Sequence, residues 1–266
     1  MAPDELASRI VRAMEARGYT VDKCAGEANI VYVEGMDPFG FANANRPDEY
    51  DDIRCVIRFM NGKPSLVGVW KATTQPGPKL TQNPVAGARD KGAAIIALGQ
   101  QRCWTVDLHS GAYEALCQRA GTVVVFRDKN KNHLRDDETT TGWYGINQHH
   151  GGDSTKIGGH SAGCLVTPMV KDHEAFMRIV KSDPRYIANP GKSGFVFRTT
   201  VMPAAWVLQD YPIIKPKDVV GAGALVAGGG LWLWLYQHSV ELAAGALLVA
   251  GIAAVVWMFK RMKDNG

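Results

Sequence analysis

The sequence predicts an α+β chain, mainly β, that ends in a two-helix transmembrane hairpin. Three observations predict it. Short apolar segments bounded by turn residues recur between residues 28 and 200, two amphipathic segments carry helical spacing, and two long uncharged runs lie near the end. Taken in order, residues 1–27 form an N-terminal helical segment, with Leu6, Ile10, Ala13 and Met14 on one face. Ile30–Val33 is a strand. Ile53–Phe59 is a second strand before the Asn61-Gly62 turn, and Ser65–Thr74 returns from it, so 53–74 reads as a hairpin. The Gln75-Pro76-Gly77-Pro78 stretch breaks the chain. Gly92–Leu98 is either a short strand or a helix, because its small residues favour neither. Cys103–Leu108 and Thr122–Arg127 are strands, and His173, Phe176, Met177 and Val180 give Lys171–Ser182 helical spacing. A linker is expected over 201–218.

The hairpin is expected over 219–259, followed by a basic tail at 260–266. Val219–Tyr236 and Leu242–Phe259 are each 18 residues without a charge. As a helix each rises about 27 Å, close to a hydrocarbon core of about 30 Å. Trp232, Trp234, Tyr236 and Trp257 stand near the run ends, where amphipathic rings favour the interface. Small residues at four-residue spacing, such as Ala246, Ala250 and Ala254, allow close helix approach and are expected to support a homo-oligomer through the hairpin. A buried helical hairpin in a soluble core is the other reading of these runs. Lys215, Lys217, Lys260, Arg261 and Lys263 flank the hairpin and its loop has no Lys or Arg, which places residues 1–217 on the cytoplasmic side of the membrane. The N-terminus lacks the apolar core of a secretory leader. From Asp218 onward three charges of each sign cancel, so the net +4 sits in residues 1–217. That suits contact with an anionic polymer or surface but is too weak to argue for nucleic acid. Five cysteines without a paired spacing argue against a disulfide framework.

One segment concentrates reactive side chains. Tyr144-Gly-Ile-Asn-Gln-His-His-Gly-Gly-Asp153 is followed shortly by Gly-Gly-His-Ser-Ala-Gly-Cys-Leu-Val166, so that His149, His150, His160 and Cys164 fall within 16 residues among glycines. A thiol after Gly163 and before an apolar strand lets the Gly163 and Cys164 amides face an oxyanion. A histidine 14 or 15 positions earlier can return to take the thiol proton, giving a thiolate–imidazolium pair. His149, His160 and Cys164 could instead supply three zinc ligands. A lone Cys beside Gly is also often a packed small hydrophobe. Asp128-Lys-Asn130-Lys-Asn132 begins like a calcium loop, yet His133 replaces the turn glycine and Thr139 the final Glu, so a polar hairpin turn is expected there. Trp104, Asp107 and His109 are candidates to line the cleft, and Arg54, Arg58 and Lys71 are expected to form a solvated face.

The pattern His-(x)n-Ser-x-Gly-Cys resembles the signature of the YkuD-type L,D-transpeptidase catalytic domain, a β-rich cysteine-peptidase fold. Gly-Ile-Asn-Gln-His-x-Gly with Ser-Ala-Gly-Cys-Leu-Val is similar to a phage and prophage branch of such proteins. So are Val31–Met36, Ala72–Gly77 and Glu114–Leu116, and the resemblance spans roughly residues 28–185. It implies a YkuD-like catalytic domain over 28–200, with Cys164 as nucleophile and His149 as general base. It further implies that a backbone carbonyl beside His149 orients the imidazole and that Ser161 and Gly163 shape the oxyanion site. His150, His160 and His109 are the candidates for substrate contact, with solvent exposure the other reading of each. Ala162 occupies the position of the family's second histidine, which puts transfer more in question than hydrolysis. The implied partners are peptidoglycan stem peptides, cut or exchanged at the bond after meso-diaminopimelate without a cofactor, in a setting of host lysis or wall penetration, at the host inner membrane or in the virion. The other functional classes are a membrane-anchored wall-binding or virion structural component and a pore-forming lysis factor.

Overall fold

The computed structural model describes residues 1–209. In chain order these form α1 (Pro3–Glu15), β1 (Asn29–Glu34), β2 (Asp52–Met60), β3 (Lys63–Ala72), α2 (Pro78–Gln82), β4 (Ala93–Ile96), β5 (Gly99–His109), β6 (Tyr113–Gln118), β7 (Val123–Asp128), β8 (Thr139–Gly142), β9 (Gln148–His150), β10 (Leu165–Thr167), α3 (Val170–Lys181), α4 (Pro184–Ala188), β11 (Phe197–Pro203) and α5 (Ala204–Leu208). They are β-rich, consistent with a mainly β chain. The expected fold class is nevertheless corrected: no helix among the described residues is long and apolar enough to cross a membrane. The hairpin expected at 219–259, the tail at 260–266 and the linker beyond residue 209 lie outside the described residues. The start of that expected linker completes β11 and forms α5.

Eight strands share one sheet in the order β10-β9-β6-β5-β11-β1-β2-β3. Just past β3, Thr73 exchanges two backbone hydrogen bonds with Val166 of β10, at 2.8 and 3.1 Å. This bridge closes the sheet on itself and protects edges that would otherwise be open to pairing. The β2–β3 hairpin turns at Asn61 and Gly62, both with positive φ, as the Asn-Gly pair predicts. β4, β7 and β8 form a second, three-stranded antiparallel sheet, so Gly92–Leu98 resolves into a strand.

Alternation along β1 serves two cores. Ile30 and Tyr32 join Trp104, Leu116, Leu165 and Phe176 on one side. Val31 and Val33 meet Leu6, Ile10 and Met14 of α1 on the other. Each fully buried side chain of this kind stabilises the fold by roughly 2 kcal/mol. Two-sided burial also explains a correction. Arg54 was expected on a solvated face, but it is 0% exposed. Its guanidinium lies 3.9 Å over the Phe176 ring of α3 and donates to the Asp172 carbonyl at 3.4 Å. Only Lys71 of that expected face is fully exposed, while Arg58 reaches the Ile179 carbonyl at 2.7 Å.

Candidate active site

β9 and β10 are parallel, with Gln148 opposite Leu165 and His149 opposite Val166. Parallel neighbours need a crossover of about a dozen residues or more, and the glycine-rich stretch 151–164 supplies it. The 15-residue separation of His149 and Cys164 is therefore the length of this crossover. Cys164 sits at its end, where Leu165 N–H donates to the Asn147 carbonyl at 2.9 Å. By strand alternation Asn147, His149, Cys164 and Val166 point to one face. His149 is then one strand over and two residues along from Cys164, about 8 Å between Cα atoms from ordinary strand spacing.

Side-chain contacts refine that placement. The Asn147 N–H points at Cys164 Sγ, 3.4 Å away, and the thiol faces the Gly145 carbonyl at 3.5 Å. The sulfur makes no hydrogen bond to His149. His149 Nδ1 donates to the His150 carbonyl at 2.8 Å. A carbonyl only accepts, so the proton resides on Nδ1 and Nε2 carries the lone pair, the tautomer a general base needs. The His109 ring stacks on His149 with centroids 4.0 Å apart. Asn147 fixes His109 in turn: its Oδ1 accepts from the Gln118 N–H at 2.9 Å, and its Nδ2 donates to His109 Nδ1 at 3.1 Å. Tyr113 stacks on His150 and lies within 3.5 Å of His149 Nδ1. His173 of α3 extends the cluster, 5.4 Å from the His150 ring.

The electrostatics differ from the expected ion pair. Burial pushes His149 down to about 3, with the His109 ring adding to the effect. Burial pushes the Cys164 thiol up to about 11, against the pull of the Asn147 N–H. The resting pair is therefore neutral thiol and neutral imidazole, not thiolate and imidazolium. His173 is likewise held down to about 3, by burial and by Arg54.

These buried histidines carry a stability consequence. Unfolded histidines gain protons below their ordinary 6.5, whereas folded His149 and His173 resist to about 3. Stability is thus lost as pH falls through that window. Asp52, raised by burial and by Glu34 from 3.8 to about 7, runs the other way because the folded chain takes up its proton first. His109 and His150 are lowered in the same sense as His149 and His173, so the histidines outweigh the single raised carboxyl and the net is a loss of stability as pH falls. Denaturant unfolding between about pH 6 and pH 4.5 is expected to show a steadily falling midpoint, and a flat profile would contradict the buried neutral histidines.

The turn before the thiol is built by Ser161, which is fully buried. Its Oγ donates to the Cys164 carbonyl at 2.8 Å and accepts from the Gly163 N–H at 3.1 Å. This corrects the expected pair of oxyanion donors: the Gly163 amide is occupied, and only the Cys164 amide is unclaimed among the described residues. Gly163 has φ +126°, and a Cβ there would lie 2.5 Å from the Ala94 carbonyl oxygen. Gly163→Ala is expected to cost about 3 kcal/mol or more through combined strain and overlap. Thermal unfolding measures that loss.

The remaining expected residues separate. His160 is exposed on the crossover and is not brought to the sulfur by any hydrogen bond. Among the described residues no three His, Cys, Asp or Glu side chains are grouped to hold a metal ion. The zinc set of His149, His160 and Cys164 is therefore not assembled. Trp104 is fully buried and braces the segment from beneath, its Nε1 donating to the Ile146 carbonyl at 2.7 Å. Asp107 pairs with Arg119 at 2.7 Å. In the Asp128–Glu138 stretch the carboxylates of Asp128 and Asp137 accept from the backbone amides of Lys129, Asn130, Asn132 and His133. That is a self-satisfied polar turn between β7 and β8. Sequence reasoning missed Asn147, Tyr113 and His173. Asn147 lay inside the quoted motif, while His173 was hidden on the apolar stripe of a helix.

A cavity of about 420 Å³ opens onto Cys164, walled by Ala94, Ile146, Tyr144, Ala162 and Arg127. A second, of about 400 Å³, lies on the side of His150, Tyr113 and His173. A thiol that faces a cavity, carries its own unclaimed backbone amide and lies one strand from a lone-pair imidazole has the groups that acyl transfer through a thioester uses. No family model, curated protein or solved structure matches the chain.

Proposed function

We propose that the chain is a cysteine peptidase that cleaves an amide of peptidoglycan stem peptides through a thioester on Cys164. The observation that carries the reading is the His149 Nδ1–H bond to the His150 carbonyl, which leaves the Nε2 lone pair free on the strand beside the thiol. The YkuD-type motif supplies the substrate class. With substrate in the cavity, the Cys164 proton passes to His149 Nε2 as sulfur attacks the carbonyl carbon. The Cys164 N–H donates to the developing oxyanion. Collapse expels the amine, which takes the proton from His149, and water then hydrolyses the thioester with His149 again as base. Because the resting pair is neutral, proton transfer accompanies attack instead of preceding it.

One observation favours a second reading, a wall-binding module without catalysis: the sulfur is held neutral between Gly145 and Asn147 and makes no bond to His149. Incubating the chain with purified sacculi and analysing the supernatant by mass spectrometry separates the two. Released muropeptides support the peptidase. Sedimentation with sacculi without release supports the module.

A further inference from the structure

One charged side chain in the Cys164 cavity is not explained by the steps above. Arg127, on β7, is only 5% exposed and is the sole charged residue among those lining that cavity. Its Nε donates to Thr140 Oγ1 at 3.1 Å and its Nη1 to the Gly92 carbonyl at 3.4 Å. The guanidinium lies 4.4 Å from the Tyr144 ring centroid. It forms no ion pair among the described residues; the other buried cation, Arg54, has none either but lies in no cavity with Cys164, whereas the less buried Arg135 and Arg185 pair with Glu34 and Asp183. Its remaining nitrogen, Nη2, makes no hydrogen bond to a described residue. Unlike the orphaned Nε and Nη1 of Arg54, it is not sealed from solvent.

A desolvated guanidinium without a counterion is costly. Two of its nitrogens are fixed and the group lies over an aromatic ring, so the third is held in position for a planar anion. The surrounding wall is otherwise apolar, including Ala93, Ala94, Ile146 and Ala162. One available nitrogen suits a monoanionic carboxylate better than a phosphate dianion, which calls for several donors.

We infer that Arg127 anchors the free C-terminal carboxylate of the ligand, which makes the Cys164 cavity selective for peptides that end there. The substrate class is then a peptide whose terminal carboxylate lies within a few residues of the scissile carbonyl. Arg127 and Cys164 share one cavity of about 420 Å³, and each extended residue spans about 3.5 Å. Resting on the peptidase reading, this assigns trimming of chain ends, not cutting within cross-links.

The test uses the full chain carrying Cys164→Ala, so that bound peptide is not turned over. Calorimetry compares a stem tetrapeptide bearing a free C-terminal carboxylate with its C-terminal carboxamide. The acid is expected to bind about tenfold or more tightly than the amide. Arg127→Gln is expected to abolish that preference and Arg127→Lys to restore part of it. A merely structural Arg127 would weaken both peptides alike and leave their ratio unchanged. Equal binding of acid and amide, binding of neither, or a preference that survives Arg127→Gln overturns the inference. The peptidase reading fails separately, if the unsubstituted chain releases nothing from sacculi.

Discussion

A Cys164→Ala chain is expected to release muropeptides from sacculi at least about 10⁴-fold more slowly than the unsubstituted chain, since a nucleophile has no substitute in acyl transfer. The expectation is clean because the substitution is structurally mild. The sulfur's polar contacts are the Asn147 N–H and the Gly145 carbonyl, at 3.4 and 3.5 Å, and its other packing is against the small Tyr50, Ile157 and Val166 cluster. The turn that presents it is held by Ser161 through backbone groups, which alanine retains. Circular dichroism and thermal unfolding are expected to show an intact fold, with at most about 1–2 kcal/mol lost. Undiminished release would remove Cys164 from the chemistry and place the activity elsewhere on the chain.

His149→Gln is expected to lower kcat/KM by about 10²–10⁴-fold, the range of a lost general base. The pH profile gives a sharper reading than the rate alone. His149 is held down to about 3, so the neutral base persists well below the ordinary histidine range. The acid side of kcat/KM is therefore expected to stay level through pH 6.5 instead of breaking there. Alkylation by iodoacetamide, which needs the thiolate, is expected to climb only as pH approaches about 11. Cys24 is the one fully exposed cysteine among the described residues, so a Cys24→Ser background isolates the Cys164 signal. Rapid alkylation of Cys164 at neutral pH, lost in His149→Gln, would instead establish a preformed ion pair.

Local signals in the sequence translated well where one physical cause dominated. Asn61-Gly62 gave the β2–β3 turn because both positions require positive φ. The spacing of His173, Phe176, Met177 and Val180 gave α3 because that stripe packs against the sheet. The placement of His149 on the strand beside the one Cys164 leads into was legible from the crossover-length spacing, whereas the absence of a bond between the two side chains was not. What escaped depends on contacts between distant segments. Arg54 reads as a solvated position on an alternating strand, yet α3 covers that side of β2. The Gly163 amide looked free for an oxyanion, but Ser161 two residues earlier claims it. The closure of the sheet by Thr73 and Val166 joins segments 93 residues apart and leaves no local pattern. Asn147 shows the same limit: its position follows from the motif, whereas its hold on His109 depends on the partner strand.

The central claim is that Cys164 becomes covalently acylated. Intact-protein mass spectrometry after rapid acid quenching of the chain with a stem peptide tests it directly. A transient mass increase equal to the acyl fragment is expected, mapped to the peptide containing Cys164, released by hydroxylamine and absent from Cys164→Ala. Turnover with no adduct, or an adduct on another side chain, would contradict it.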